Sequence, residues 1–193
     1  MRSTGLILLA AGASTRLGQP KQQLMFRGQS LLQHALQTAQ TSVASSVVIV
    51  LGAGAADIQR ATNLNSAYVV ENPEWPEGMA SSIRVGLTNL LNITPETEAA
   101  IFMVCDQPFV TPALLNELIS TFTQTNKEII ACAYQDTLGT PVLFSKKYFP
   151  ELFNLQGQEG AKKLIKRYDG NVAAVSFPEG QIDIDTTQDY ENL

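Results

Sequence analysis

Chemistry-bearing residues gather first in "LAAGASTRLGQPK", residues 9–21, where an apolar run gives way to small residues and hydroxyls before Arg16 and Lys21. Backbone amides approach phosphate oxygens closely only where side chains are absent or small, and amides lining a tight concavity carry fixed positive partial charge. Gly12, Ala13, Ser14 and Gly18 meet that steric demand. Arg16 then offers a planar fork and Lys21 a point charge for the same anion. The loop is not a Walker motif, because five residues separate Gly12 from Gly18 and no Gly-Lys-Ser/Thr follows. The alternative is a strand-to-helix turn with incidental basic residues. Two cations, a strand before and a helix after favour phosphate binding.

Other chemically suggestive residues weigh less. "VVIVLGAGAADI" offers Gly52 and Gly54 after a strand, but Asp57 stands where a dinucleotide fingerprint needs its third glycine. Trp75, between Pro73 and Pro76, reads as a loop anchor packed on the core, with stacking on a base or pterin as the alternative. Arg84 lies in a helical stretch and is expected to be solvated or ion-paired. His34, the only histidine, reads as a helix-packing residue, and one histidine offers no zinc cluster. Cys105 and Cys132 each sit within an apolar run and read as buried strand residues rather than a disulfide or metal pair.

The elements that must position these residues follow from the hydrophobic pattern. Strands are expected at Gly5–Ala10, Ser46–Leu51, Ala67–Val70, Ala99–Cys105, Glu128–Ala133 and Val172–Ser176. Helices are expected near Ser30–Thr41, Ala55–Asn63, Met79–Leu91, Pro112–Gln124 and Glu159–Tyr168. Near-continuous apolar strands joined by helices predict an α/β fold, a three-layer Rossmann-like and mostly parallel sheet with helices on both faces. The stretch "GTPVLFSKKYFPELFNL" has a strand-like start and a short amphipathic helix that insert into or flank this sheet. Ligands bind beyond the carboxyl ends of parallel strands, so Ala11–Lys21, Glu71–Gly78 and Asp106–Pro108 are expected to converge on one rim.

Bulk properties bound the function. The 193 residues, 45% hydrophobic and 16% charged, suit one globular domain over 1–193, without repeat or linker. A net charge of −5 offers no electrostatic footprint for nucleic acid, although a few placed cations suffice for a small anion. The apolar run Leu6 to Ala11 is too short to span a membrane, and a cytoplasmic location is the default expectation.

Five segments occur in order: "LAAGASTRLGQPKQQL" (9–24), "NPEWPEGMASSIRVGL" (72–87), "DQPFVTPALL" (106–115), "GTPVLF" (139–144) and "DIDTTQDY" (183–190). Together they resemble the MobA-like nucleotidyltransferases, and within them most closely the molybdenum cofactor cytidylyltransferases. The resemblance implies a nucleotide-diphospho-sugar transferase-like domain that uses Mg²⁺. Such a domain joins a nucleoside monophosphate to a phosphorylated acceptor and releases pyrophosphate. It implies that Leu9, Ala10, Ala11 and Gly12 lie along the nucleotide, with Gly78 and Ser82 touching base or ribose. Arg16 would hold the outer phosphates and Lys21 would bridge the reacting ones. Asp106 would bind Mg²⁺, with Asp185 as the second carboxylate. A charge at the end of an apolar strand is costly without a partner, which suits Asp106 to that task; capping the next turn is the alternative. Asp185, with Asp183 and Asp189 close in sequence, could instead cap the final helix.

Ala10-Ala11-Gly12 and Gln19-Pro20-Lys21 resemble the CTP-using members, so the resemblance implies transfer of CMP from CTP to molybdopterin, with a recipient molybdoenzyme as a further partner. The chain departs from the family pattern at Thr140, where relatives carry His, at Gln158, where they carry Asp, and at Lys162, where they carry Arg. Thr187 likewise stands where Pro is usual. The first three differences fall in the half that handles the acceptor. A sugar or methylerythritol phosphate is therefore the alternative acceptor, and a non-catalytic carrier of the molybdenum cofactor the alternative of another class.

Overall fold

The computed structural model describes residues 3–64 and 67–193. The chain begins with β1 (Thr4–Ala10), every residue of which is buried. A small hairpin of β2 (Met25–Phe26) and β3 (Gln29–Ser30) leads into α1 (Leu31–Thr41), β4 (Val47–Leu51), α2 (Ala55–Ala61) and β5 (Tyr68–Glu71). Next come α3 (Met79–Ile93), β6 (Ala99–Val104), α4 (Pro112–Gln124), β7 (Ile129–Tyr134) and β8 (Thr137–Ser145). The chain closes with α5 (Phe149–Phe153), α6 (Ala161–Arg167), β9 (Val172–Ser176) and α7 (Thr187–Glu191). The seven-stranded sheet has the order β5-β4-β1-β6-β8-β7-β9.

Within that order β1 runs parallel to β4 and β6, and β4 parallel to β5. Strand β8 is antiparallel to both β6 and β7, while β9 is parallel to β7. The segment expected to insert into or flank the sheet thus inserts as its one reversed strand. All other strands point their carboxyl ends to the same rim.

Alternation along β1 separates two cores. Leu6, Leu8 and Ala10 join α1, α2 and α4 on one face, through residues such as Leu36, Ile58 and Leu118. Ile7 and Leu9 join α3, α5 and α6 on the other, through Ile83, Leu87, Leu152 and Leu164. Helices on both faces of a sheet give the expected three layers. Two of the five expected helices also start on a side-chain cap. Ser30 Oγ accepts from Gln33 N at 3.2 Å before α1, and Thr111 Oγ1 accepts from Leu114 N at 3.2 Å before α4, where Pro112 opens the helix.

A smaller cluster lies beneath the rim. Leu17 from the first loop, Leu24, Phe26 and Leu31 pack with Ile184 from the C-terminal segment. Burying such side chains stabilises by about 1.5–3 kcal/mol each. It also brings the loop after β1 against the segment after β9. Among the described residues, no helix is long and apolar enough to cross a membrane.

Candidate functional site

The rim holds a cleft of about 430 Å³, within the range of small-ligand pockets. The end of β1 and the loop after it supply Leu9, Ala10, Ala11 and Gly12 to its wall. The start of α3 supplies Gly78 and Ser82, beside Trp75. Arg16, Lys21, Asp106 and Asp185 line the same cleft, as do Ala13 and Ser14, whereas Gly18, grouped with them in the sequence, is not among its lining residues.

The loop's composition now has a geometric reason. A Cβ on Gly12 would meet nothing within 4 Å, so its absence leaves that volume to the cleft. On the outer side the loop is crowded. A Cβ on Gly52 would lie 2.7 Å from the Ala11 carbonyl oxygen and 2.7 Å from Trp75 Cβ. The glycine that imitated a dinucleotide fingerprint therefore permits the close approach of the β4 loop to the first loop. Asp57, of the same stretch, pairs with Arg60 on the exposed surface of α2.

Gly78 answers a different demand. Its φ of 127° and ψ of −166° belong to a region essentially confined to glycine. A Cβ there would stand 2.5 Å from the Gly157 carbonyl oxygen. The start of α3 is thereby pressed against the loop that brings Gln158 to the cleft. Arg84 strengthens this junction, donating to the Leu155 carbonyl at 2.6 Å and pairing with Glu77, as an ion-paired helix residue was expected to. Gly157 N in turn donates to Glu77 Oε1 at 3.2 Å.

Lys21 Nζ donates to Asp106 Oδ2 at 2.6 Å and to Asp185 Oδ1 at 2.7 Å. Arg16 Nη2 donates to the other oxygen of Asp185 at 2.7 Å. Burial alone would lower the Lys21 pKa, but the charge of Asp106, then its hydrogen bond and those to Asp185, outweigh burial and raise it. Burial would likewise raise Asp185, yet Lys21 and then Arg16 hold its carboxyl below the ordinary range. Asp183 is pushed up by its own burial, then by the negative charges of Asp185 and Asp106.

Long-range backbone contacts make this convergence. Ile184 N donates to the Asp106 carbonyl at 3.1 Å, and Ile184 itself is buried. That anchor brings Asp185 beside Asp106. The helix-capping alternative for Asp185 is not what the structure shows, because Thr186 and Asp189 form the capping box of α7. Asp185 is left for the two cations.

Two carboxylates lie within 2.7 Å of one ammonium group, and the second oxygen of Asp106 is buried without a partner among the described residues. This all-oxygen donor set fits a hard divalent cation, which is often bound through one or two carboxylates plus substrate phosphates. The residues present therefore suit the metal that the sequence implied.

The remaining residues take structural places. Trp75 packs on the core while also bordering the cleft. His34 bridges Pro108 O at 2.9 Å and Gln29 Nε2 at 3.2 Å, which joins α1 to the loop after β6. Both cysteine thiols are pushed up to about 12 by burial and are unpaired. Gln22, which belongs to none of the expected site residues, is a buried cleft residue hydrogen-bonded to the loop backbone. Only its place beside Lys21 hinted at it.

An open, mostly parallel sheet with helices on both faces and a cleft at its carboxyl rim defines an α/β protein of the nucleotide-diphospho-sugar transferase-like fold. More narrowly, the chain belongs to the MobA-like NTP transferase domain family, whose pattern it matches over residues 6–172. Its structure is similar to that of the Rv0371c protein of Mycobacterium tuberculosis H37Rv, with a TM-score of 0.86 and 31% identity over 100% of this chain and 98% of that one. The same protein has been solved in complex with manganese, with a TM-score of 0.81. Among curated proteins, the purine catabolism protein PucB of Bacillus subtilis (strain 168) is 28% identical over 99% of this chain and 97% of its own. The molybdenum cofactor cytidylyltransferase of Escherichia coli (strain K12) is 22% identical over 98% and 95% respectively. Nicotine blue oxidoreductase of Paenarthrobacter nicotinovorans is 43% identical, but over 42% of this chain and 40% of its own length.

Proposed function

We propose that the chain is a Mg²⁺-dependent nucleotidyltransferase that moves CMP from CTP to the phosphate of molybdopterin, releasing pyrophosphate. The observation that carries this reading is Lys21 bonded at once to Asp106 and Asp185, beside a loop whose Gly12 leaves the cleft open. Two cations and three nearby carboxylates, counting Asp183, leave the free cleft short of positive charge. A divalent cation would offset that shortfall, while Arg16, Lys21 and the loop amides would meet the charge of the triphosphate it accompanies.

The reaction asks little covalent chemistry of the protein. An acceptor phosphate oxygen attacks the α-phosphorus in line, the bond from that phosphorus to the bridging oxygen breaks, and pyrophosphate departs. The acceptor oxygen is already anionic, so no strong base is required. Alignment and neutralisation of charge are the principal demands. Amides near Gly12 bind the phosphates. Arg16, whose side chain is 67% exposed, is free to swing from Asp185 to the outer phosphates. Lys21 bridges the reacting phosphates, while Gly78 and Ser82 border the base or ribose. Asp106 and Asp185 hold Mg²⁺, which supplies further neutralisation of the triphosphate. Support for CTP comes from the Ala10-Ala11-Gly12 and Gln19-Pro20-Lys21 segments and the likeness to the cytidylyltransferase.

A second acceptor, a sugar or methylerythritol phosphate, is favoured by one observation. Thr140 stands where a histidine is usual, and its hydroxyl cannot switch a proton near neutral pH as an imidazole can. The test incubates the protein with Mg²⁺, each labelled nucleoside triphosphate and molybdopterin, and follows pyrophosphate and nucleotide product. The reading predicts product with CTP, and a loss of about 10²–10³-fold in Asp106→Asn, the scale of removing one strong electrostatic contact. Turnover only with another phosphorylated acceptor would replace molybdopterin, and binding without turnover would mark a carrier.

A further inference from the structure

Gln22 is 1% exposed, although its side chain carries a donor and an acceptor. Burying an amide is costly unless its groups are bonded. Its Nε2 donates to two main-chain carbonyls, Ala10 at 2.7 Å and Gly12 at 3.0 Å. Its Oε1 is buried with no partner among the described residues. An apolar side chain of the same shape would avoid that second cost, so the amide serves something other than packing.

The two carbonyls belong to the loop that borders the cleft. Where a Cβ on Gly12 would project there is only open space, so no side chain at that position holds the loop's shape. The neighbouring Lys21 N donates to Ser14 Oγ at 3.0 Å. The single turn Lys21–Gln23 is therefore tied to the loop at residues 10, 12 and 14, and it carries Lys21 toward the two aspartates. A carbonyl released from Gln22 could rotate its oxygen into the volume that phosphate oxygens require.

We propose that Gln22 is a positioning residue for nucleotide binding. Its amide keeps the Ala10 and Gly12 carbonyls turned to itself and sets the loop relative to Lys21, so that a triphosphate meets amide hydrogens rather than carbonyl oxygens. This rests on the reading of the cleft as a triphosphate site.

Gln22→Met keeps the length and removes the donors. Gln22→Glu keeps the shape, offers no donor when ionised, and regains one when protonated. Amide hydrogen exchange at residues 11–14 of the free full chain is measured together with calorimetric binding of CTP and Mg²⁺. Gln22→Met should exchange faster at 11–14 while the β4 and β6 amides keep their protection. It should bind CTP about tenfold or more weakly, since small misplacements of a positioned group cost up to about 10²-fold. Gln22→Glu should recover toward the wild-type affinity as the pH falls from about 9.5 to about 6, the window in which a carboxyl this deeply buried takes up its proton; Gln22→Met should show no such recovery. If Gln22→Met does not fold, the Gln22→Glu series decides, and affinity independent of pH relative to wild type overturns the proposal. Wild-type exchange and CTP affinity in a folded Gln22→Met overturn it as well. A wild-type protein that binds no nucleoside triphosphate instead overturns the proposed function beneath it, a result distinct from binding that is indifferent to residue 22.

Discussion

Replacing Lys21 by Met separates three properties that a single inactive variant would confuse. Methionine keeps the unbranched stem and removes the charge that joins Asp106 to Asp185. Breaking a fully buried ion pair costs about 3–5 kcal/mol because the remaining charge is left unpaired. Here the side chains are 14% exposed at Lys21, 18% at Asp106 and 31% at Asp185, so solvent relieves part of that cost. A loss of about 2 kcal/mol follows, which lowers the melting temperature by about 4–8 °C for a chain of this size. The loss should depend on pH in a definite way. The Lys21 pKa is raised, so its contribution is complete below the ordinary 10.5 and lost only as pH climbs through the higher folded value. That of Asp185 is lowered, so its contribution is present above the ordinary 3.8 and lost as pH falls through the depressed folded value. The difference in melting temperature between wild type and variant should be level between these limits and shrink below 3.8.

Metal affinity should move the other way. In the free protein, Lys21 competes for the oxygens that suit a divalent cation. Unit charges about 4 Å apart interact by about 4 kcal/mol at an effective dielectric of about 20. Screening at this partly open cleft leaves about 1–2 kcal/mol, so Mn²⁺ titrated without nucleotide should bind about tenfold more tightly to Lys21→Met. Nucleotidyl transfer should nevertheless fall by about 10²–10³-fold, because the cation over the reacting phosphates is gone. Calorimetry, electron paramagnetic resonance of Mn²⁺ and pyrophosphate release read the three quantities separately. A variant that binds Mn²⁺ no better, or that turns over like wild type, would refute the assignment of Lys21 as both the metal's rival and the phosphates' counter-charge.

Two further substitutions test the walls of the cleft. Gly12→Val should leave the melting temperature nearly unchanged, because a Cβ there meets nothing within 4 Å, while raising the KM for CTP about tenfold or more by occupying phosphate space; an unchanged KM would remove the loop from the binding site. Gly78→Ala should destabilise by about 2–3 kcal/mol, since its backbone conformation is confined to glycine and the added carbon would press on Gly157; thermal denaturation reads the loss.

The strands and helices were legible because burial on both faces leaves continuous apolar runs, as in the fully buried β1 and β4. The first loop was legible as a cleft wall because its small residues, Ala10 to Ser14, stand at consecutive positions of the sequence. Placement of β8 was not legible beyond its strand-like start. Insertion between β6 and β7 depends on pairings such as Ala100 with Phe144, far apart in the chain. The hairpin of β2 and β3 was missed because two-residue strands carry no alternation to read. Gln22 was missed for another reason: its partners are main-chain carbonyls, which every residue possesses and no sequence motif distinguishes.

The aspartates illustrate how far local reasoning extends. Three lie between residues 183 and 189, and their composition alone assigns no task to any of them. Buried Ile184 separates Asp183 from Asp185, while the Thr186 cap engages Asp189. That much is contained in the order of residue types. The choice of Asp185 as partner of Lys21 depends on a chain separation of 164 residues, closed by Ile184 packing with Leu17 and bonding to the Asp106 carbonyl. Sequence therefore exposes which groups could bear charge, whereas the small apolar cluster beneath the rim decides which of those charges meet. Substitutions in that cluster should alter the site without touching any polar atom in it.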